Sequence, residues 1–193
     1  MIAPEPLLTL SEAKNRELVP FVGGTPLHSM HNPRREAEVF ASNHLAHLYK
    51  SPCALVLGLG FGYHIEEIAK TLRLKHKNYR IAVIEAMPEL ARLMNSYRGP
   101  IDNVEIFTTK DVSTLWNNPR LGNFLLEKPV VIIHPNSFAV AKKFYESFLA
   151  RRAPNTVGEW RLPDPSFAPM IATHAAKSLS EIANAGQLGE SAA

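Results

Sequence analysis

The apolar positions of this chain fall into short unbroken runs separated by stretches with a helical period. Ala54-Leu55-Val56-Leu57, Ile81-Ala82-Val83-Ile84, Val104-Glu105-Ile106-Phe107 and Val130-Val131-Ile132-Ile133 read as strands, most of them buried on both faces of a parallel sheet. Between them, Ile65, Ile68, Ala69 and Leu72 share one helical face. Pro88 opens a helix through Met94, Asp111 to Trp116 makes a short one, and Phe138 to Arg152 makes a long one with Phe144, Phe148 and Leu149 inward. A loop is expected at Asn117-Asn118-Pro119 and Gly122. Asn32-Pro33 is a helix start, with Asn as cap and Pro in the first turn, and that helix runs to about Tyr49. Strands alternating with helices imply βαβ units and right-handed crossovers. The expected fold is therefore α/β, a Rossmann-like parallel sheet.

Ahead of that sheet the pattern is less regular. Leu10 to Leu18 reads as a short amphipathic helix, and residues 19–29 as a hairpin-like piece whose Pro20 and Pro26 restrict it to edge strands. After Arg152 a Pro-rich linker leads to Met170–Ala185, which carries Ile171, Ala175, Leu179 and Ile182 at helical spacing. The expected organisation is residues 1–152 as a nucleoside-binding domain with an N-terminal helix and hairpin extension. Residues 153–193 are then linker, C-terminal amphipathic helix and tail. That helix packs back onto its own chain or meets a second copy in a homodimer; packing in cis is the simpler expectation.

The first strand ends in Gly58-Leu59-Gly60-Phe61-Gly62, directly before the helix that holds Ile65. Glycines in a strand–turn–helix corner admit left-handed backbone and close approach, and the helix start presents free N–H groups to anions or hydroxyls. A dinucleotide fingerprint would need Gly or Ala where Tyr63 stands, so the spacing is G-x-G-x-G. The next strand ends in Glu85, where an acid commonly accepts from ribose hydroxyls. A tight turn without ligand, and a solvated strand-end carboxylate, are the simpler readings of the same residues.

With 193 residues, 46% apolar and 20% charged, one sizeable core is expected. A net charge of +3 without basic clusters gives no ground for a nucleic-acid partner, and no apolar run reaches membrane-spanning length. The single Cys53 excludes a disulfide framework and, with no signal-peptide pattern, points to the cytoplasm. His28-x-x-His31 and His44-x-x-His47 have metal-like spacing but no completing ligand, so ordinary histidines are expected and no metal. His28, Ser29, His31 and Arg34 precede a helix start and could cover the Gly loop. His134, at the carboxyl end of the fourth strand, is the candidate base.

The G-x-G-x-G loop resembles motif I of class I S-adenosylmethionine-dependent methyltransferases and spermidine synthases. That resemblance implies S-adenosylmethionine, or a related small nucleoside, held by Gly58, Gly60, Gly62 and Glu85. Asp111 would meet adenine, although a helix N-cap is its simpler role. Val56 stands where methyltransferases usually carry an acid. Over residues 19–152 the chain also resembles the N-terminal Rossmann-like domain of the motility accessory factor proteins. Those are glycosyltransferases of flagellin modification, grouped with pterin diphosphokinase-like proteins. Pro26-Leu27-His28-Ser29 with Asn32-Pro33-Arg34-Arg35-Glu36-Ala37, the loop Gly58–His64 and Val83-Ile84-Glu85 carry this likeness. Two functions follow as expectations: a methyltransferase-like nucleoside binder, or a non-catalytic accessory module. No substrate is implied.

Overall fold

In the computed structural model, residues 7–150 are described. The expected strands form a parallel four-stranded sheet of β4 (Cys53–Leu57), β5 (Arg80–Glu85), β6 (Val104–Thr108) and β7 (Val130–Ile133). Their spatial order is β6-β5-β4-β7. The chain steps outward from β4 through β5 to β6, then returns to lay β7 on the other side of β4. That reversal makes the crevice between the carboxyl ends of β4 and β7 the place where an open α/β sheet receives ligands. The fold is α/β with a Rossmann-like parallel sheet, as expected from the sequence.

The two-residue side-chain period of a strand divides the apolar runs between two cores. Ala54, Val56, Ile81, Val83, Val130 and Ile132 face one layer. It is made by α1 (Pro33–Asn43), α2 (Leu45–Leu48), α3 (Tyr63–Lys75) and α4 (Pro88–Arg98). Leu55, Leu57, Ala82, Ile84, Val131 and Ile133 face the other. That layer comprises α5 (Val112–Trp116), α6 (Pro119–Leu125), α7 (Pro135–Val140) and α8 (Lys142–Ala150). Ile65, Ile68, Ala69 and Leu72 are the buried face of α3, as their spacing predicts.

The N-terminal extension differs from the expectation. Leu10 to Leu18 is not a helix but runs from the first strand through a turn into the second of a three-stranded antiparallel sheet, β1 (Leu8–Glu12), β2 (Leu18–Val22) and β3 (Thr25–Pro26). Its reversal is made by Arg16 at φ +69°, held by Arg16 N–H to Ala13 C=O at 2.9 Å, with Ala13 N–H donating to Glu17 C=O at 2.8 Å. Pro20 sits in the central strand, not at an edge. Its carbonyl accepts from Leu27 N–H beyond the short β3. A strand residue's N–H and C=O point the same way, so the missing donor lies on that side and the ladder to β1 is intact.

Three helix boundaries also move. The helix opened by Asn32 breaks at His44, whose Nδ1 bonds the Phe40 carbonyl at 2.8 Å. His44 N–H bonds Ala41 C=O instead, so the turn tightens. Asn118-Pro119 starts α6 rather than marking a loop, with Asn118 Oδ1 accepting from the Arg120 and Leu121 amides. The long last helix is two, α7 and α8, divided at Ala141. Among the described residues no helix is long and apolar enough to cross a membrane. The expected linker and Met170–Ala185 helix lie outside the described residues.

Asn32 does two jobs, since its Oδ1 caps the Arg35 amide at 2.9 Å and accepts from Asn15 Nδ2 at 3.1 Å. Asn32→Ala should lower stability by about 1 kcal/mol, the usual effect of losing an N-cap. Urea denaturation checks this, and an unchanged midpoint would contradict it.

Candidate functional site at the carboxyl edge of the sheet

The Gly loop turns from β4 into α3 with Gly58 at φ +100°, Gly60 at +53° and Gly62 at +82°. All three adopt the left-handed backbone that favours glycine. What approaches them is this chain's own side chains. A Cβ on Gly58 would fall on Ser137 Cβ, with Ser137 Oγ at 2.8 Å and His134 Cβ at 3.2 Å. A Cβ on Gly60 would stand 2.5 Å from His28 Nε2 and 3.2 Å from His134 Cε1. Gly62 faces Ile101 and Met94. The switch-point crevice is thus filled by His28 from the segment after β3, and by His134 and Ser137 from the end of β7. His64, in the first turn of α3, joins them.

These groups are tightly bonded. His28 Nε2 accepts the Phe61 amide at 2.8 Å, so its proton sits on Nδ1, which faces Glu36 Oε2 at 3.4 Å. Glu36 Oε2 also accepts the Ser29 amide at 2.9 Å. His64 Nε2 donates to the Gly58 carbonyl at 3.0 Å, leaving Nδ1 unprotonated, buried and without a hydrogen-bond partner. His134 Nδ1 lies 2.8 Å from Ser137 Oγ and accepts from the Ser137 amide at 3.4 Å, as the N-cap of α7. The His64 and His134 rings stack at 4.1 Å, and His28 sits 4.9 Å from His134. Burial lowers the pKa of all three, well below the ordinary range for His64 and His134, so the cluster is neutral at pH 7.

Glu85 is fully buried, where the sequence placed a ribose contact. Its Oε2 accepts the Leu59 amide at 2.8 Å and its Oε1 the Met87 amide at 2.8 Å. Burial pushes its pKa up to about 7, against the pull of those amides. Asp111 is exposed and caps α5, accepting from the Ser113 amide at 2.9 Å. The structure therefore gathers Gly58, Gly60, Glu85 and His134 in one corner, with Gly62 turned toward α4, and leaves Asp111 in a helix cap.

The histidine pairs suggested by spacing are not the ones the fold assembles. His31 is exposed, and His44 is engaged with the Phe40 carbonyl. The group brought together is His28, His64 and His134. His64 is buried with the apolar face of α3, four residues before Ile68, a spacing that could have found it had a histidine been counted among the inward positions. Ser137 lies just before the expected Phe138 helix start, at the end of the fourth strand, where nothing in the sequence marked it as a neighbour of the Gly loop.

Beside the loop lies a groove of about 300 Å³ lined by Arg16, Glu17, Arg34, Tyr63, Glu66 and Arg98, among others. Arg98 lies 3.9 Å over the Tyr63 ring and pairs with Glu66. Arg34 pairs with Glu17 and Glu66, and Tyr63 Oη bonds Leu18 C=O at 2.8 Å. Its charges are therefore matched largely within the groove.

No family model matches the sequence, and no curated protein matches it. Among solved structures, the chain is similar to the crystal structure of MNMC2 from Aquifex aeolicus. The identity is 15%, the TM-score 0.42, and the alignment covers 82% of this chain and 70% of that one.

Proposed function

We propose that this chain is a non-catalytic accessory or interaction module on a methyltransferase-like fold, and that its Gly-loop corner is a structural joint rather than a nucleoside site. The observation that supports this most is Glu85: both its oxygens are bonded by backbone amides of the corner, and none of the side chain reaches solvent. A carboxylate in that state has to break two amide bonds before it can accept from a ribose. The glycines give the second support, because Ser137 and His28 stand where a ligand would need to approach Gly58 and Gly60. His134 as a base is disfavoured on the same ground, being stacked, capped and only 4% exposed. The resemblance to the N-terminal module of flagellin-modification proteins is of one piece with a binding role that lacks turnover.

Calorimetry with S-adenosylmethionine and S-adenosylhomocysteine tests the reading. Neither should release heat at concentrations well above micromolar. Saturable heat with either nucleoside, abolished by Glu85→Gln in a folded variant, would restore the methyltransferase-like nucleoside binder.

A further inference from the structure

We propose that His28, His64 and His134 form a site for one divalent transition-metal ion of the zinc class. One ring nitrogen from each lies within 4.8 Å of the others, and the residues are 2%, 1% and 4% exposed. Neutral imidazole is the ligand form of histidine, and burial holds all three neutral.

The arrangement of the outer nitrogens carries the inference further. In protein metal sites the ligating histidine generally has its other ring nitrogen fixed by a carboxylate, carbonyl or similar group. Here His28 Nδ1 faces Glu36 Oε2 at 3.4 Å, His64 Nε2 donates to Gly58 C=O at 3.0 Å, and His134 Nδ1 meets Ser137 Oγ at 2.8 Å. Each ring is thus held on one side, which leaves His28 Nε2, His64 Nδ1 and His134 Nε2 as the second nitrogens. Of these, His64 Nδ1 is a buried lone pair with no hydrogen-bond partner. A buried acceptor left unmatched is unusual in a folded protein and calls for a ligand. Three aliphatic side chains would fill the same corner without that penalty.

Binding asks for three local changes. The His64 and His134 rings are parallel within 8°, so one must tilt before their lone pairs converge. His28 Nε2 must exchange the Phe61 amide for the ion. His134 also shifts its proton to Nδ1, where Ser137 Oγ can accept it. Three imidazoles supply three of the four positions of a tetrahedral site, and a water completes it.

The full chain, stripped with chelator and dialysed, should take up one equivalent of cobalt(II) or zinc(II) at pH 7.5. Cobalt should give the visible absorption of a tetrahedral site, and zinc should shift the Phe61 amide resonance and the imidazole nitrogen resonances of the three histidines. His64→Gln and His134→Gln, each checked for folding by melting, should weaken zinc by more than the roughly 10–100-fold typical of losing an outer partner. His31→Ala, an exposed histidine outside the cluster, should bind as the parent does. The imidazole resonances of the parent read the ligands directly, whatever the variants' stability. A folded parent that takes up neither metal at micromolar concentration, or zinc that moves other histidines and leaves these three unshifted, would overturn the proposal.

Discussion

Gly58→Ala should cost about 2–5 kcal/mol of stability, while the same change at Gly24 should cost only about 1–2. Both glycines have left-handed backbone, at φ +100° and +84°, so both variants carry roughly 1–2 kcal/mol of backbone strain. They differ in what the new methyl meets. At Gly24 nothing lies within 4 Å. At Gly58 the methyl lands on Ser137, which is 0% exposed and fixed in the first turn of α7. Overpacking of that kind costs typically about 1–3 kcal/mol more, and here the neighbour is tied to β7 through His134. The sum approaches the ~5–15 kcal/mol that holds a domain together. Urea denaturation of the two variants decides the matter. Equal losses at Gly24 and Gly58 would mean that the loop can move away from Ser137, and that the corner is looser than its contacts imply.

The metal-free protein should lose stability steeply as the pH falls from 7 to 5. His28, His64 and His134 have folded pKa values below their unfolded ones, so the unfolded chain binds more protons in this range. Each such histidine contributes a loss of at most about 1.4 kcal/mol per pH unit until its folded pKa is reached, so the three together contribute at most about 4. Glu85 works in the opposite direction. Its folded pKa is raised to about 7, so its contribution is fully present below the ordinary carboxylate value of 4.5 and is lost as the pH rises through 7. The net acid slope is then about 3 kcal/mol per unit at its steepest. Glu85→Gln should lower stability at pH 7, because a single amide oxygen cannot accept from both Leu59 and Met87. It should also steepen the acid limb by about 1.4 kcal/mol per unit, by removing the opposing group. Chemical denaturation at half-unit pH steps in chelator measures both. A flat profile between pH 7 and 5 would show that water reaches the histidines.

The parallel sheet was legible because its strands are short apolar runs that need burial on both faces, and little else in the chain resembles them. The helix α3 announced itself through Ile65, Ile68, Ala69 and Leu72 for the same reason. Where reading failed, local chemistry and tertiary context disagreed. The turn between β1 and β2 is made by Arg16 at positive φ, with no glycine to signal it, so the polar stretch around it has the look of a helix. The start of α6 was in plain view as Asn118-Pro119, the same signal that marked α1, but Gly122 inside it suggested a loop. The site residues were partly visible, since the Gly loop and Glu85 are ordered by spacing along one βαβ unit. Their use was not. A strand-end acid exposed to a ligand and one bonded to its own loop have the same sequence neighbours. Only the placement of His28 and β7 over the crevice distinguishes them.

That placement rests on contacts between distant parts of the chain. Asn136 Nδ2 donates to the Leu27 carbonyl at 3.3 Å across 109 residues, closing the N-terminal segment against the start of α7 directly over the loop. Bringing such remote partners together carries about 4 kcal/mol of loop entropy beyond a length-independent constant, against about 3 for the 26-residue span from Leu59 to Glu85. The part of the sheet made by β4, β5 and β6 is locally connected and can form on short loops, whereas the corner has to wait for the more distant contact. It works as a latch, engaged only when the segment after β3 and the start of α7 are both in place. A change that loosens either segment is therefore felt at the loop between them.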